Sequence, residues 1–306
     1  MASPLFTSLA ACLALAPQSN WWFDPMKRFG PMSEKYPRTA AKPLLLVLPG
    51  LDGSGITAWT QFPELALDYE LRAMQIPADD RTSYEALVDL VAKEVNDEKD
   101  NNRDVLLFGE SMGAGVALDA ARRAPPSALV LCSPATGWDR TWLGKLRFWL
   151  VTLPDALLGL IVAFTSYQLF DLQMMTTTAQ RIVSGEKAAI LDTPERIDYA
   201  WRVVKEMPSA FASPPSTVRH RVEKWAQPSI DAGRDLSDLN VPMLIVAGTA
   251  DIRVPAEEEA RRLARIAPPE CRAAVHLVES AGHAGATDER LDLRAVLQEW
   301  RSEQGA

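Results

Sequence analysis

Three short strings carry side chains able to make and break an acyl bond. The stretch DVLLFGESMGAGVALDAARRA, from Asp104 to Ala124, is an apolar run that drops into Gly-Glu-Ser-Met-Gly and leaves with helical spacing. Ser111 lies at the turn, and Gly109 and Gly113 flank it. A strand-to-helix turn tight enough to hold a serine out of the backbone tolerates only small neighbours, and the following helix points its amide dipoles at developing negative charge. The bare Gly-x-Ser-x-Gly string is a weak signal, and an ordinary tight turn is the alternative reading. Its position between a buried strand and a helix is what makes Ser111 a candidate nucleophile.

Serine needs a base, and the base needs an acid that fixes its tautomer. The chain has three histidines, and they differ by position. His283, in ESAGHAG, follows the last apolar strand. His276 lies within that strand, and His220 lies in VRHRVEKW, which reads as an exposed, charged helix. His283 is therefore the expected base. In LIVAGTADIRVP, Asp251 follows the preceding strand and is the expected acid, with a helix-capping role as its alternative. Asp231, Asp235 and Asp238 precede that strand, at its wrong end. A tetrahedral intermediate also needs donors. The loop VLPGLDGSG, with Gly50, Gly53 and Gly55, follows the first confident strand. The amides of Met112 and Leu51 are the expected oxyanion donors, with Asp52 as second choice. A phosphate cradle is disfavoured there, because no Lys-Ser/Thr follows and the dinucleotide spacing is absent.

These residues require a scaffold. KPLLLVLPG, YELRAMQIP, DVLLFG, SALVLCSP, VPMLIVAG and CRAAVHLVES read as strands. SYEALVDLVAKEV, MGAGVALDAARRA, PAEEEARRLARI and ERLDLRAVLQEW read as helices. Alternating helices and continuously apolar strands predict a mostly parallel central sheet with helices on both faces, and such sheets bind ligands at their carboxyl ends. The order Ser111, Asp251, His283 is that of an α/β-hydrolase fold. The alternation breaks at about 138–238, before the acid-bearing strand. That insert contains WLGKLRFWLVTLPDALLGLIVAFTSYQLF, interrupted by Pro154 and Asp155. It is too broken for a membrane span of about 20 apolar residues. It reads as a helical cap with an apolar slot around Phe148, Trp149, Leu157, Leu158, Leu160, Ile161 and Phe164, one that touches a membrane surface peripherally.

Composition bounds the partners. A formal net charge of −8 argues against nucleic acid. Cys12, Cys132 and Cys271 fit no zinc motif and no disulfide framework, so no metal or cofactor is expected and a reducing compartment fits. Residues 1–41 form a segment apart from the hydrolase domain at 42–306. Its first residues, MASPLFTSLAACLALAPQ, have the apolar stretch and small-x-small triplet of a targeting peptide but no basic residue ahead of them. The expectation is either a targeting peptide or a loosely docked terminus. The short N-terminus is not expected to supply the first two strands of a full eight-stranded sheet.

LLLVLPGLDGSG, QIPADDRTSYEALVDLV, GESMGAGVALDAARRAPPSALVLCSPATGW, LPDALL and LIVAGTADIRVPAEEEARRL…ESAGH resemble, in that order, the hydrolase portion of the phytyl ester synthase and diacylglycerol acyltransferase-like proteins of plastids. The Pro-Gly-x-Asp-Gly loop is the most discriminating piece. The resemblance implies triad roles for Ser111, Asp251 and His283. It also implies acyl chemistry on lipid-like esters, with transfer to phytol or diacylglycerol as an alternative to hydrolysis, and a plastid location. Those proteins continue into an acyltransferase-like domain with a His-x4-Asp motif. Here the string from His283 to Asp288 falls where the triad histidine belongs and is read as coincidence, so hydrolysis is the leading expectation. A non-catalytic ligand-binding protein of the same fold is the third reading. No protein partner is expected.

Overall fold

The computed structural model describes residues 21–30, 42–169, 180, 183–184, 192–210, 213–283 and 290–305. The proposed targeting stretch, Cys12, the Phe164 side chain and Asp288 lie outside the described residues. Seven strands form one sheet in the order β1-β3-β2-β4-β5-β6-β7. They are β1 (Trp22–Phe23), β2 (Leu44–Leu48), β3 (Glu70–Met74), β4 (Val105–Glu110), β5 (Ala128–Cys132), β6 (Met243–Gly248) and β7 (Ala274–Val278). All pairings are parallel except that of β1 with β3. The predicted strands are all present, and β1 adds one from within the N-terminal segment. Asp24 caps a short helix, α1 (Pro25–Phe29), and Phe29 is fully buried.

Side chains alternate across the strands and make two apolar layers. On one face Leu44, Leu46 and Leu48 meet α3 (Tyr84–Asp100) and α4 (Met112–Arg123) through Leu87, Val91 and Leu118. On the other, Leu45 and Val47 meet α1 and α2 (Phe62–Asp68) through Phe29 and Phe62. The chain enters the sheet at β2, runs outward to β3, then crosses to β4 on the opposite side of β2. The strand order therefore reverses between β2 and β4, where a doubly wound sheet opens a crevice at its carboxyl edge.

Among the described residues, a 3-10 turn (Ala135–Arg140) lies between β5 and β6 together with α5 (Trp142–Lys145), α6 (Arg147–Leu150), α7 (Asp155–Leu169), α8 (Thr193–Ala210) and α9 (Pro215–Ala232). Among the described residues no helix is long and apolar enough to cross a membrane. Two further helices, α10 (Ala256–Ile266) and α11 (Leu293–Gln304), complete the cover of the sheet.

Candidate active site

Ser111 joins β4 to α4 with φ 53° and ψ −117°. A side-chain-bearing residue adopts that conformation only when its surroundings enforce it. Here they do. A Cβ on Gly109 would fall 2.5 Å from the Gly113 carbonyl oxygen, and one on Gly113 would fall 2.5 Å from that of Pro49. The two glycines let β4 and α4 close on each other and on the end of β2. The Ser111 amide donates to Cys132 O at 2.9 Å, and its carbonyl accepts from Ala135 N at 3.0 Å, so the end of β5 braces the turn.

The structure brings the other expected residues to this point. His283 follows β7, with Nε2 3.0 Å from Ser111 Oγ and Nδ1 2.8 Å from Asp251 Oδ2. The other Asp251 oxygen accepts from the amides of Arg253 at 2.7 Å and Val254 at 3.2 Å, which fixes the carboxylate in the loop after β6. The helix beyond that loop starts at Ala256 with Pro255 at its cap position, so Asp251 does not cap it. Gly248 lets the two loops meet, since a Cβ there would lie 2.3 Å from Ala281 O. The His283 side chain is only 11% exposed and that of Asp251 1%. Burial pulls the imidazole pKa down, but the charge and hydrogen bond of Asp251, with the charge of Glu110, outweigh it and hold the pKa above the usual histidine value. A ring placed this way takes a hydroxyl proton at Nε2 while the carboxylate steadies the resulting cation.

The loop after β2 abuts the turn: a Cβ on Gly50 would lie 3.1 Å from Ser111 Cβ. Gly53 N closes a turn onto Gly50 O at 3.1 Å, with Leu51 and Asp52 at its tip. Asp52 accepts from Ser54 N at 2.8 Å and from the Ser54 hydroxyl, so its side chain holds the loop from within. Met112 opens α4. Among the described residues the amides of Leu51 and Met112 donate to no backbone carbonyl.

The remaining histidines lie elsewhere. His276 is half-buried in β7, where burial lowers its pKa. His220 is on α9, and the expectation of an exposed helix there does not hold. Val218, Arg221, Val222 and Trp225 are buried along one side of α9, and His220 Nε2 is itself buried. Two charged groups at the site were not foreseen. Glu110, at the variable position before Ser111, is buried, and Thr57 donates to it from beyond the Gly50 loop. Burial, aided by the charge of Asp52, pushes its pKa up to about 7. A carboxylate ending a wholly apolar strand was the available signal. Arg221 reaches the same loop from α9, and its spacing from Val218, Val222 and Trp225 on one helical face was the signal in that case.

Beside the loop lies a cavity of about 70 Å³, lined by Leu51, Trp138, Leu158, Ile161, Val218 and Val222 among others. The expected slot thus divides in two. Leu158 and Ile161 face the cavity, whereas Phe148, Trp149, Leu157 and Leu160 are exposed.

Sequence comparison places these features among known proteins. Residues 13–295 match the Alpha/beta hydrolase family. The chain is 36% identical over 140 residues to phytyl ester synthase 2, chloroplastic, of Arabidopsis thaliana, a match covering 44% of this chain and 19% of that protein. It is 25% identical over 288 residues to phytyl ester synthase 1, chloroplastic, of the same plant, covering 90% and 38% respectively. The matches therefore take in a minor part of each relative. MenH from S. aureus superposes with a TM-score of 0.58 at 17% identity, covering 86% of this chain and 95% of that one. A thermophilic esterase from Thermogutta terrifontis does so at 0.55 and 20% identity, covering 86% and 90%. Those two likenesses are of fold.

Proposed function

Given that the chain belongs to the alpha/beta hydrolase family, matched over residues 13–295, we propose that it is a serine hydrolase that cleaves carboxylic esters of lipid-like acyl chains through an acyl-Ser111 intermediate. The observation that carries this reading is the unbroken chain from Ser111 Oγ to His283 Nε2 at 3.0 Å and from His283 Nδ1 to Asp251 Oδ2 at 2.8 Å. In the first half-reaction Ser111 Oγ attacks the ester carbonyl and its proton passes to His283 Nε2. The amides of Leu51 and Met112 receive the oxyanion. Collapse expels the alkoxide, which takes the proton from His283. In the second half-reaction water attacks the acyl carbonyl, gives its proton to His283, and Ser111 leaves with that proton as free serine. The apolar cavity beside Leu51 supports an acyl chain as the group held there.

The phytyl ester synthases among its relatives favour a second outcome for the same intermediate, in which phytol or diacylglycerol replaces water. A fluorophosphonate probe tests the shared step. It should label the native protein at Ser111 and leave Ser111→Ala unlabelled, while an unlabelled native protein would point to a ligand-binding role. Product analysis on a fatty acyl ester, with and without phytol, then separates free acid from phytyl ester.

Peripheral membrane contact belongs to this reading too. Trp142, Phe148, Trp149 and Leu160 are 71%, 67%, 73% and 69% exposed, beside Lys145 and Arg147. Aromatic and basic side chains together suit an anionic lipid surface. Co-sedimentation with anionic vesicles, lost in Trp149→Glu, checks it.

A further inference from the structure

The helix that lines the acyl cavity also holds the loop beside Ser111, and one residue makes the connection. On α9, Val218, Arg219 and Val222 face the cavity. Between them Arg221 is fully buried. Its Nη1 donates to Leu51 O at 2.9 Å and Asp52 O at 2.7 Å, and its Nη2 donates to Pro77 O at 3.0 Å. The Trp225 ring covers it, 5.0 Å from the guanidinium carbon. Its named partners are neutral carbonyls, and Nε has no partner among the described residues. Burial draws its pKa below the usual arginine range, with Asp52 and Asp80 opposing at longer range.

A cation in that setting is a poor way to hold a fold together, since apolar side chains of similar volume do so without the desolvation penalty. Its geometry serves a different purpose. A peptide unit is planar, so fixing a carbonyl fixes the amide of the next residue. By taking the carbonyls of Leu51 and Asp52, one guanidinium nitrogen sets the two peptide planes that carry the Asp52 and Gly53 amides. The Gly53 amide in turn donates to Gly50 O at 3.1 Å, which sets the plane that carries the Leu51 amide. Gly53 is the matching half of the contact. It sits at φ 74°, and a Cβ there would fall 2.7 Å from Arg221 Nη1. The guanidinium reaches the loop only because that side chain is missing.

We propose that Arg221 is a positioning residue for the oxyanion loop, carried on a cap helix so that an acyl chain filling the cavity and a correctly set Leu51 amide reinforce each other. This rests on the acyl-Ser111 reading above. The linkage would direct chain-binding energy into the chemical step, so longer chains raise kcat as well as lowering KM.

Arg221→Lys tests it, because lysine keeps the charge but its single, shorter-reaching ammonium cannot hold the two loop carbonyls and Pro77 O together as the planar fork does. Acetyl and decanoyl p-nitrophenyl esters are assayed on folded protein, with thermal unfolding recorded alongside. The expected result is a kcat lower by about 100-fold, as for a displaced oxyanion donor, with KM within about twofold of native and no gain in kcat from acetyl to decanoyl. A decyl trifluoromethyl ketone, which forms a tetrahedral adduct on serine, should lose affinity in step with kcat, while decanoate should bind as before. A native kcat and native chain-length gain in Arg221→Lys would overturn the proposal. Should that variant fail to fold, Gly53→Ala displaces the guanidinium from the loop side and is read by the same split, where a native kcat likewise overturns it. Fluorophosphonate labelling separates the two levels. An unlabelled native protein removes the acyl-Ser111 reading itself, whereas a labelled native protein with a fully active Arg221→Lys removes only the role of Arg221.

Discussion

At the carboxyl ends of β4, β6 and β7 the backbone fixes each expected reactive group. Ser111 is wedged between glycines that admit no Cβ, Asp251 is held by two amides, and His283 spans the gap between them. Across the crevice, the cap is held by side chains. Arg219 donates to Val151 O at 2.9 Å and Leu153 O at 2.6 Å, Arg147 to Gln227 Oε1 at 2.6 Å, and Arg221 to the loop. Its apolar residues are shared between a lined cavity and an exposed face. Under the proposed function, the reaction would fall to the backbone-held edge of the sheet and substrate choice to the side-chain-held cap, which is where sites of high precision and of adaptable specificity respectively belong.

If that division holds, the largest effects come from the sheet edge. Ser111→Ala and His283→Ala should each lower kcat by at least about 10³-fold, and by similar amounts because the two act as one unit. Ser111→Ala should keep a native unfolding temperature, since alanine relieves rather than adds crowding at the turn, whereas His283→Ala should unfold at a lower temperature because it leaves the buried Asp251 carboxylate unpaired. His220→Ala and His276→Gln should leave kcat near native. A dead His220→Ala would move the base from the sheet edge to the cap and break the division outright.

Asp251→Asn comes next, at about 10³- to 10⁴-fold in kcat, because an amide facing Nδ1 favours the wrong imidazole tautomer. The amide retains one oxygen for the contacts from Arg253 and Val254, so thermal unfolding should change little. A loss of stability without that loss of kcat would make Asp251 a loop-holding residue.

The two regions also differ in how legible they were. Strands β2 to β7, helices α3, α4, α10 and α11, and the chain order of Ser111, Asp251 and His283 follow from local signals: apolar runs, 3.6-residue spacing and glycines at turns. Helices α1 and α2 do not, being short helices without a readable period. β1 did not, because two residues, Trp22 and Phe23, carry no period, and their strand exists only through pairing with Met74 and Ala73. Within the cap, hydropathy marks apolar residues but not which way each one faces. Leu158 lines the cavity and Leu160 meets solvent, though they are two residues apart in one apolar run. Arg221 and Glu110 were missed because charge in a sequence is read as surface. Both are buried by tertiary contacts, the first against the Gly50 loop and the second under Thr57.

The cap is tested by chain length. Each buried methylene contributes about 0.8 kcal/mol, so four more amount to about 3 kcal/mol, or roughly a hundredfold in binding. kcat/KM should therefore climb steeply from acetyl to medium-chain esters. Leu158→Asp and Ile161→Asp should flatten that climb more than they reduce acetate turnover. Leu160→Asp, on the exposed face, should leave the profile of soluble esters unchanged. If the cavity residues serve only to pack the cap on the sheet, the two buried variants would lose stability and keep the native profile.

The smallest effect on rate concerns Glu110, a second buried acid beside Asp251 whose charge acts on His283. Its pKa is raised from 4.5 to about 7, chiefly by burial. The folded protein thus prefers the neutral carboxyl, and the sign follows. Below pH 4.5 both folded and unfolded chains hold the proton and nothing is lost. Between 4.5 and 7 the unfolded chain ionises first and stability falls, reaching a loss of about 3 kcal/mol above pH 7. Glu110→Gln should therefore unfold at a higher temperature than the native protein at pH 8, with the difference vanishing near pH 4.5. The same substitution removes one of the charges that hold the His283 pKa up. The acid limb of kcat/KM should then move to lower pH, with plateau rates within about tenfold of native, as expected for a group that does not itself transfer a proton. A stability difference independent of pH would mean that Glu110 has the same pKa in the folded and unfolded chains. An unmoved acid limb would mean that its charge does not reach the imidazole, leaving Asp251 alone to set the base.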